Sequence, residues 1–531
     1  MTTSPSRSRG SVLSRHPLLR DALLWAIPAL IFGLALRLIL LSYSPYAYWG
    51  SDSRSYFGFT NGVFTEFYFS INEKRRYLYP IFAFLVTLLP GSTLRALAWI
   101  QMGLGLATVV AFSYLIRRVL AGWRWFIVPL TAVYAGFPMF LWYEHEFLAD
   151  TIYFDCVVWT MAGWAAWVSQ KDKARARRLW WWFFVPLAIM VLTKPSVKFF
   201  WPGIVLALVV VLAWKILRWP QWTAIGALFL AGLTVGDGNQ GARLLYTTAF
   251  PLTQVDTPLH AEFKAEIRDW VLQKRAALTL YDERDDDVHD FLREPEAQDE
   301  RPLWRDLAKN DGEQLEVLYR DLALEGIRAE PLQFLYIGLQ RLTGSINLEE
   351  FGEERFESTY FADRFAQQLR DRRNPESMVR LAFALPADEP LPDAGQFYQW
   401  LAPHPDSTAA QWMMNYVRTY QRAGAVLARP PGRNIEFSRN RLTPLGWWIF
   451  AGMLISLFPP YTRTVGVWMI TILAAMIPTF LVGIENERYF LPAWPLLILL
   501  LGIAIDVPFR LIRRSCHSSP GGGLVRPVGC M

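Results

Sequence analysis

Polar side chains that could do chemistry lie in five short stretches of a chain that is otherwise strongly apolar. The first stretch, just after an apolar run, holds one carboxylate, Asp52, among several aromatic residues. The other four are "NEKRRYLYP" (72–80), "YEHEFLAD" (143–150), "TKPSVK" (193–198) and "ENERYF" (485–490). Together they supply carboxylates that can accept a proton and cations that can bind an anion. These groups suit a reaction on a phosphate-linked substrate.

The carboxylates are the candidate catalytic groups: Asp52, Asp150 and Glu146. A loop acid beside aromatic residues can simply be solvated, but a carboxylate at an apolar boundary is costly to desolvate and often functional. Partial burial of Asp52 would also raise its pKa and suit it to proton transfer. Glu146 and Asp150 are four residues apart, so they share a helix face if a helix begins here, although Asp150 could equally be a helix cap.

The cations are the candidate phosphate ligands: Lys74, Arg75, Arg76, Lys198 and Arg488. Arg binds phosphate oxygens in pairs and Lys supplies a point charge. The alternatives are contact with lipid headgroups for the 74–76 cluster, snorkelling for the lysines beside Pro195, and an ion pair within the loop for Arg488.

Further residues are expected to line the same pocket: Arg54, Tyr56, Glu144, His145, Lys194 and Glu487. His145 beside Glu146 suggests a metal ligand, but the HExxH spacing of zinc hydrolases is absent. The sequence therefore assigns no metal and no other cofactor, while a divalent metal stays compatible with these residues.

The elements that must position these residues are membrane helices. The chain has 531 residues, of which 53% are hydrophobic, and its apolar runs are long enough to cross a bilayer core of about 30 Å. We expect an all-α polytopic membrane protein with about ten transmembrane helices. The predicted spans are 22–43, 94–116, 125–143, 151–169, 179–194, 200–217, 221–236, 443–459, 464–483 and 490–509.

The distribution of charge predicts the topology. The stretch 79–91 is apolar but short, which is typical of an interfacial or re-entrant segment. If it does not cross and the N-terminus is cytoplasmic, most Lys and Arg of the short loops fall on the inner side, as the positive-inside rule requires. All five polar stretches then face outward. The net charge of +6 comes from these loops and does not indicate nucleic-acid binding, and three Cys cannot form a disulfide framework.

Four regions follow from this topology. Residues 1–236 form a transmembrane catalytic module whose first outer loop is 44–93. Residues 237–442 are expected to form a mainly helical periplasmic domain, because they are long enough for their own core and apolar residues recur at helical spacing. Residues 443–510 form the last transmembrane helices, and 511–531 form a disordered cytoplasmic tail.

Over about 22–217 and 443–509, the chain resembles the bacterial GT-C glycosyltransferases, integral-membrane enzymes that use polyprenyl-phosphate sugars. The nearest branches are the protein-mannosyltransferase-like and the lipid A aminoarabinose-transferase-like enzymes. The resemblance rests on "SDSRSYF", "RRYLYPIFAFLVTLLPG", "STLRALAWIQMGLGLATVVAFSYLIRRVLAG", "YEHEFLAD", "LTKP" and "ENERYFLPAWPLL".

The resemblance implies a GT-C-like helical bundle in the bacterial inner membrane, with both termini cytoplasmic and a periplasmic active site. It implies that Asp52 acts on the acceptor, that Asp150, Glu146 or Glu144 is the second-loop acid, and that residues 74–76 bind the donor phosphate. The donor would be a polyprenyl-phosphate sugar, and the acceptor a glycan, a glycolipid or a protein. One departure is Ser53, because the protein mannosyltransferases carry Glu after the first-loop Asp.

Three other functions remain as alternatives. A membrane transporter of a lipid-linked or anionic substrate would place its polar residues inside the spans, near interrupted helices. A lipid-anchored binding or assembly protein would work through its outer domain. An O-antigen-ligase-type enzyme would need a long loop with basic residues and His, which the sequence does not show.

Overall fold

The computed structural model describes the following parts of the chain. These are residues 17–50, 53, 56, 78–120, 126–194, 219–233, 261–262, 312–332, 334–335, 356, 379–380, 382–386, 388–391, 396, 400, 407–428, 444–472 and 491–517.

The described residues form a helical protein. The helices are α1 (Pro17–Tyr43), α2 (Leu78–Thr87), α3 (Thr93–Val119), α4 (Ile127–Ala135), α5 (Pro138–His145), α6 (Asp150–Val168), α7 (Lys173–Thr193), α8 (Trp219–Leu233), α9 (Gly312–Ala329), α10 (Thr408–Ala428), α11 (Pro444–Ser456) and α12 (Trp494–His517). A π-helix (Thr462–Gly466) leads into helical residues 467–472, and a 3-10 turn (Leu491–Ala493) precedes α12. Within the described chain the one β-type pairing is an isolated parallel bridge between Tyr48 and Glu146.

Two of the described helices are long and apolar enough to cross a membrane, Arg20–Tyr43 and Thr93–Val119. In contrast, α2 has 10 residues, so its length of about 15 Å is half of a bilayer core. This length agrees with the prediction that 79–91 does not cross. The predicted span 200–217 and most of 464–483 lie outside the described residues.

The predicted span 125–143 is wrong as one continuous helix, because the structure breaks it between α4 and α5. Phe137 between them is extended, with φ −61° and ψ 116°. Pro138 explains the break, since it has no N–H to continue the helix and disfavours helical geometry in the residue before it. The break allows the chain to re-aim α5 and the acidic residues at its end.

The bundle is assembled around α3. Helix α3 packs against α1, α4 and α6, and α6 packs along α7. At one end of the bundle Ala47 N donates to Leu94 O at 3.1 Å, and at the other Ser113 Oγ donates to Ala22 O at 2.9 Å. The segment that follows α1 and the stretch 143–150 meet at the first of these ends.

Two predictions for the C-terminal half of the chain differ from the structure. Helix α12 continues to His517, so 511–517 of the predicted disordered tail are helical. Helix α10 belongs to the segment predicted as a separate outer domain, but it packs on α1 and buries Met413 and Val417 in the same core as the bundle. Its apolar residues recur on one face, and that face is covered by the bundle.

Candidate active site

Two polar stretches meet along a short parallel pairing. Tyr48 N donates to His145 O at 2.7 Å, and Phe147 N donates to Tyr48 O at 2.9 Å. Ser53 adds a side-chain link, because its hydroxyl donates to Phe147 O at 2.9 Å and accepts from Gly50 N at 2.9 Å. The segment that leaves α1 is therefore fixed onto the segment between α5 and α6.

Gln101 of α3 holds this second segment from the interior. Its amide nitrogen donates to Glu144 O at 2.9 Å and to Glu146 O at 2.8 Å. Its amide oxygen accepts from the Tyr79 hydroxyl of α2 at 2.6 Å. Gln101 and Tyr79 are both fully buried, so these bonds tie three parts of the fold together without solvent access.

The two candidate acids of the second segment have different surroundings. The Glu146 carboxylate lies against Gly50, where a Cβ atom would overlap its Oε1. Asp150 accepts a hydrogen bond from Lys194 at the end of α7, and the Lys194 Nζ lies 5.4 Å from the centroid of the Tyr153 ring. Both members of this ion pair are buried. Lys194 is therefore not a snorkelling lysine but the partner of Asp150.

The condition for Glu146 and Asp150 to share one helix face is not met, because no single helix contains both residues. Glu146 is the residue at which α5 ends, with an extended backbone, and α6 begins only at Asp150. Asp150 is the first residue of α6, and its side chain forms the ion pair with Lys194.

Aromatic rings pack against Tyr79 of α2 beside these acids. Tyr56 lies edge-on to Tyr79 at 4.9 Å between ring centroids, and Phe147 lies 5.7 Å from Tyr79. Burial raises the pKa of Tyr79 well above its usual value, and Tyr56, Glu146 and Asp150 nearby raise it further. The Tyr79 hydroxyl therefore keeps its proton and can only donate it to Gln101.

Glu144 forms a bidentate ion pair with Arg37 of α1 inside the bundle. Arg37 Nε lies 2.7 Å from Glu144 Oε2, and Nη2 lies 2.6 Å from Oε1. Arg37 Nη1 also donates to Gly33 O and to Ala135 O, both at 3.0 Å. Each of the two charged residues is only 2% exposed, so Glu144 is occupied by a structural pair.

His145 is neutral and buried. Its Nε2 lies 3.3 Å from Ser44 Oγ, and its ring meets Tyr48 edge-on at 4.5 Å. Burial lowers the pKa of His145 to about 3. Among the described residues no group of three His, Cys, Asp or Glu side chains is placed to hold a metal ion, so His145 has no such partners there.

Of the predicted site residues, Tyr56, Glu146 and Asp150 lie near Tyr79, and Lys194 pairs with Asp150. Glu144 pairs with Arg37 instead, and His145 contacts Ser44 and Tyr48. The remaining predicted site residues lie outside the described residues: Asp52, Arg54, Lys74, Arg75, Arg76, Lys198, Glu487 and Arg488.

Sequence reasoning missed Gln101 and Tyr79 as organisers of the site. Gln101 is an uncharged polar residue within an apolar run, and its partners lie more than 40 residues away along the second segment. The one signal in the sequence is the amide side chain within an apolar run, because a buried amide must find hydrogen-bond partners.

Comparisons with known proteins give limited results. No family model matches the chain, and no curated protein matches it. Among solved structures, the chain is similar to ArnT from Cupriavidus metallidurans bound to undecaprenyl phosphate. The identity is 13%, the match covers 91% of this chain and 78% of that chain, and the TM-score is 0.30. These values assign no family to the chain.

Proposed function

We propose that this protein is a membrane glycosyltransferase that moves a sugar from a polyprenyl-phosphate donor to a periplasmic or lipid-linked acceptor. The observation that carries the proposal is the meeting of the first and second polar stretches. Gly50 and Ser53, which flank Asp52 in sequence, contact Glu146 and Phe147. This contact supports a pocket in which the first-loop acid works beside the second-loop acids.

In the proposed reaction Asp52 accepts the proton of an acceptor hydroxyl or orients an acceptor amine. The acceptor atom forms a bond to the anomeric carbon while the bond from that carbon to the phosphate oxygen breaks. The polyprenyl phosphate leaves with the bonding electrons, and Lys74, Arg75, Arg76, Lys198 and Arg488 stabilise its charge. A single displacement inverts the configuration at the anomeric carbon.

The described acids have supporting roles in this proposal. Glu146 lies against Gly50 and supplies negative charge beside the acceptor, where it can accept a hydrogen bond from a sugar hydroxyl. Asp150 is paired with Lys194, and this pair fixes the start of α6 against the end of α7. The site faces the periplasm of a bacterial inner-membrane protein in this proposal, with both termini on the cytoplasmic side.

The test is transfer of labelled sugar from polyprenyl-phosphate donors by the purified protein in detergent or nanodiscs. Asp52→Asn is expected to lower transfer by about 10²–10⁴-fold, because it removes the base. Asp172→Asn is the matched control, since Asp172 is an exposed helix cap and Asn also caps helices well. Full transfer by Asp52→Asn would remove the assigned base.

A transporter is the second candidate, and one observation favours it. Arg37 lies within the predicted first span, pairs with Glu144, and binds Ala135 O at the break between α4 and α5. Buried charge beside an interrupted helix is a feature of transport sites. Movement of a polyprenyl-phosphate sugar across proteoliposomes without sugar transfer would favour this candidate over the enzyme.

A further inference from the structure

Gln101 and Tyr79 form a hydrogen-bonded tie in which every polar group of the Gln101 side chain has a partner. Both amide protons reach main-chain carbonyl oxygens, and the amide oxygen receives the Tyr79 hydroxyl proton. Since both side chains are fully buried, no water competes for these bonds. The tie joins three separate elements: α2, α3 and the segment between α5 and α6.

The tie acts on main-chain atoms of the acid-bearing segment. The two carbonyls belong to Glu144 and Glu146, on either side of His145. Here the chain leaves the helix, and Glu146 is extended with φ −88° and ψ 142°. Hydrogen bonds to both carbonyls fix the position and the rotation of this non-helical segment, which an apolar residue of similar size could not do.

The other end of the tie is on α2. Tyr79 comes three residues after Arg76, so α2 directly continues the stretch to which the donor phosphate is assigned. The Tyr79 ring is already held by Tyr56 and Phe147. These ring contacts bury the side chain, and the hydroxyl adds the hydrogen bond that joins α2 to α3.

We propose that Tyr79 and Gln101 are positioning residues that hold α2 at a fixed distance from the acid segment of Glu144 and Glu146. This inference rests on the proposed glycosyltransferase function. Alignment of two bound reactants is sensitive, because a misplacement of about 1 Å can lower a rate by about 10²-fold. Loss of the tie should therefore lower kcat, while each substrate still binds to its own segment.

The test compares Tyr79→Phe with Ser113→Ala. Each variant deletes one buried hydroxyl that forms one hydrogen bond between elements, and Ser113 lies on α3 like Gln101, nearer the other end of that helix. Tyr79→Phe is expected to lower kcat by about tenfold or more with the KM for the donor changed by less than about twofold. It should also speed amide hydrogen exchange at 144–149. Ser113→Ala should do neither.

The inference is overturned if Tyr79→Phe and Ser113→Ala have the same kinetics and the same exchange at 144–149. If the wild-type protein transfers no sugar, the proposed function fails, and the tie is judged by exchange alone. Faster exchange at 144–149 in Tyr79→Phe then supports the coupling between α2 and this segment. Unchanged amide exchange at 144–149 in Tyr79→Phe overturns this coupling.

Discussion

The buried pair of Arg37 and Glu144 gives the first prediction at the scale of single residues. Arg37→Leu leaves the Glu144 carboxylate 2% exposed and without its bidentate partner. Breaking one side of a buried ion pair typically costs about 3–5 kcal/mol. We therefore expect Arg37→Leu to lower the unfolding temperature of the detergent-solubilised protein strongly.

The matched control is the double variant Arg37→Leu with Glu144→Leu. It removes both charges, and a buried ion pair replaced by apolar residues is often close to neutral in stability. The double variant should recover much of the lost stability. If it is as unstable as Arg37→Leu, the loss comes from packing or from the bonds to Gly33 and Ala135 rather than from the orphaned carboxylate.

A second residue-scale prediction concerns Asp155 of α6. It is 5% exposed, and among the described residues neither carboxylate oxygen has a hydrogen-bond partner. The Thr108 hydroxyl donates to Leu104 O at 3.0 Å and accepts from Trp159 Nε1 at 3.0 Å, so its proton is already used. Asp155→Asn should therefore leave the unfolding temperature unchanged or raise it, because an amide has no charge to desolvate. A marked loss of stability would show that the carboxylate has a partner.

The buried imidazole of His145 predicts a dependence of stability on pH. Its pKa is about 3 in the folded protein, whereas a solvated His has a pKa near 6.5. Between these values the unfolded chain binds the proton and the folded chain does not. The contribution of the neutral His145 to the free energy of unfolding is therefore complete above pH 6.5. It is lost, at about 1.4 kcal/mol per pH unit, as the pH falls.

The measurement compares wild type with His145→Gln, so that the titration of other buried groups cancels. The unfolding temperature of the wild type should fall relative to that of the variant between pH 6.5 and pH 5. Parallel curves over this window would contradict a neutral, buried His145.

At the scale of elements, the contact of α6 with α7 depends on Gly163. A Cβ atom at Gly163 would overlap the backbone of Trp182, so the two helices are close enough for only a glycine to fit. Gly163→Ala should push the helices apart and cost about 1–3 kcal/mol. Gly103 of α3 is the control, since a Cβ there meets no atom of the described residues within 4 Å.

Gly103→Ala should leave the unfolding temperature unchanged or raise it slightly, because Ala favours helix by up to about 1 kcal/mol. Equal effects of the two substitutions on the unfolding temperature would mean that the close contact of α6 with α7 is not needed for stability.

At the scale of the whole molecule, the sequence predicted features that depend on local pattern. Apolar runs located α1 and α3, and the short run at 79–91 matches the short helix α2. The signal for the break at Pro138 was also local, but the apolar run on both sides masked it. The pairing of Lys194 with Asp150 and of Arg37 with Glu144 joins residues that are 44 and 107 positions apart, and no local pattern encodes such pairs.

The place of α10 in the whole molecule gives the last prediction. Val417 is fully buried in the core shared with α1, and Tyr416 donates from its hydroxyl to Gly136 O at the break between α4 and α5. A buried polar residue without a partner costs about 1–3 kcal/mol. Val417→Asn should therefore lower the unfolding temperature of the bundle itself, whereas Gln411→Ala on the exposed face should not. If 237–442 instead unfolded separately, Val417→Asn would shift one transition and leave the transition of the transmembrane helices at the wild-type temperature.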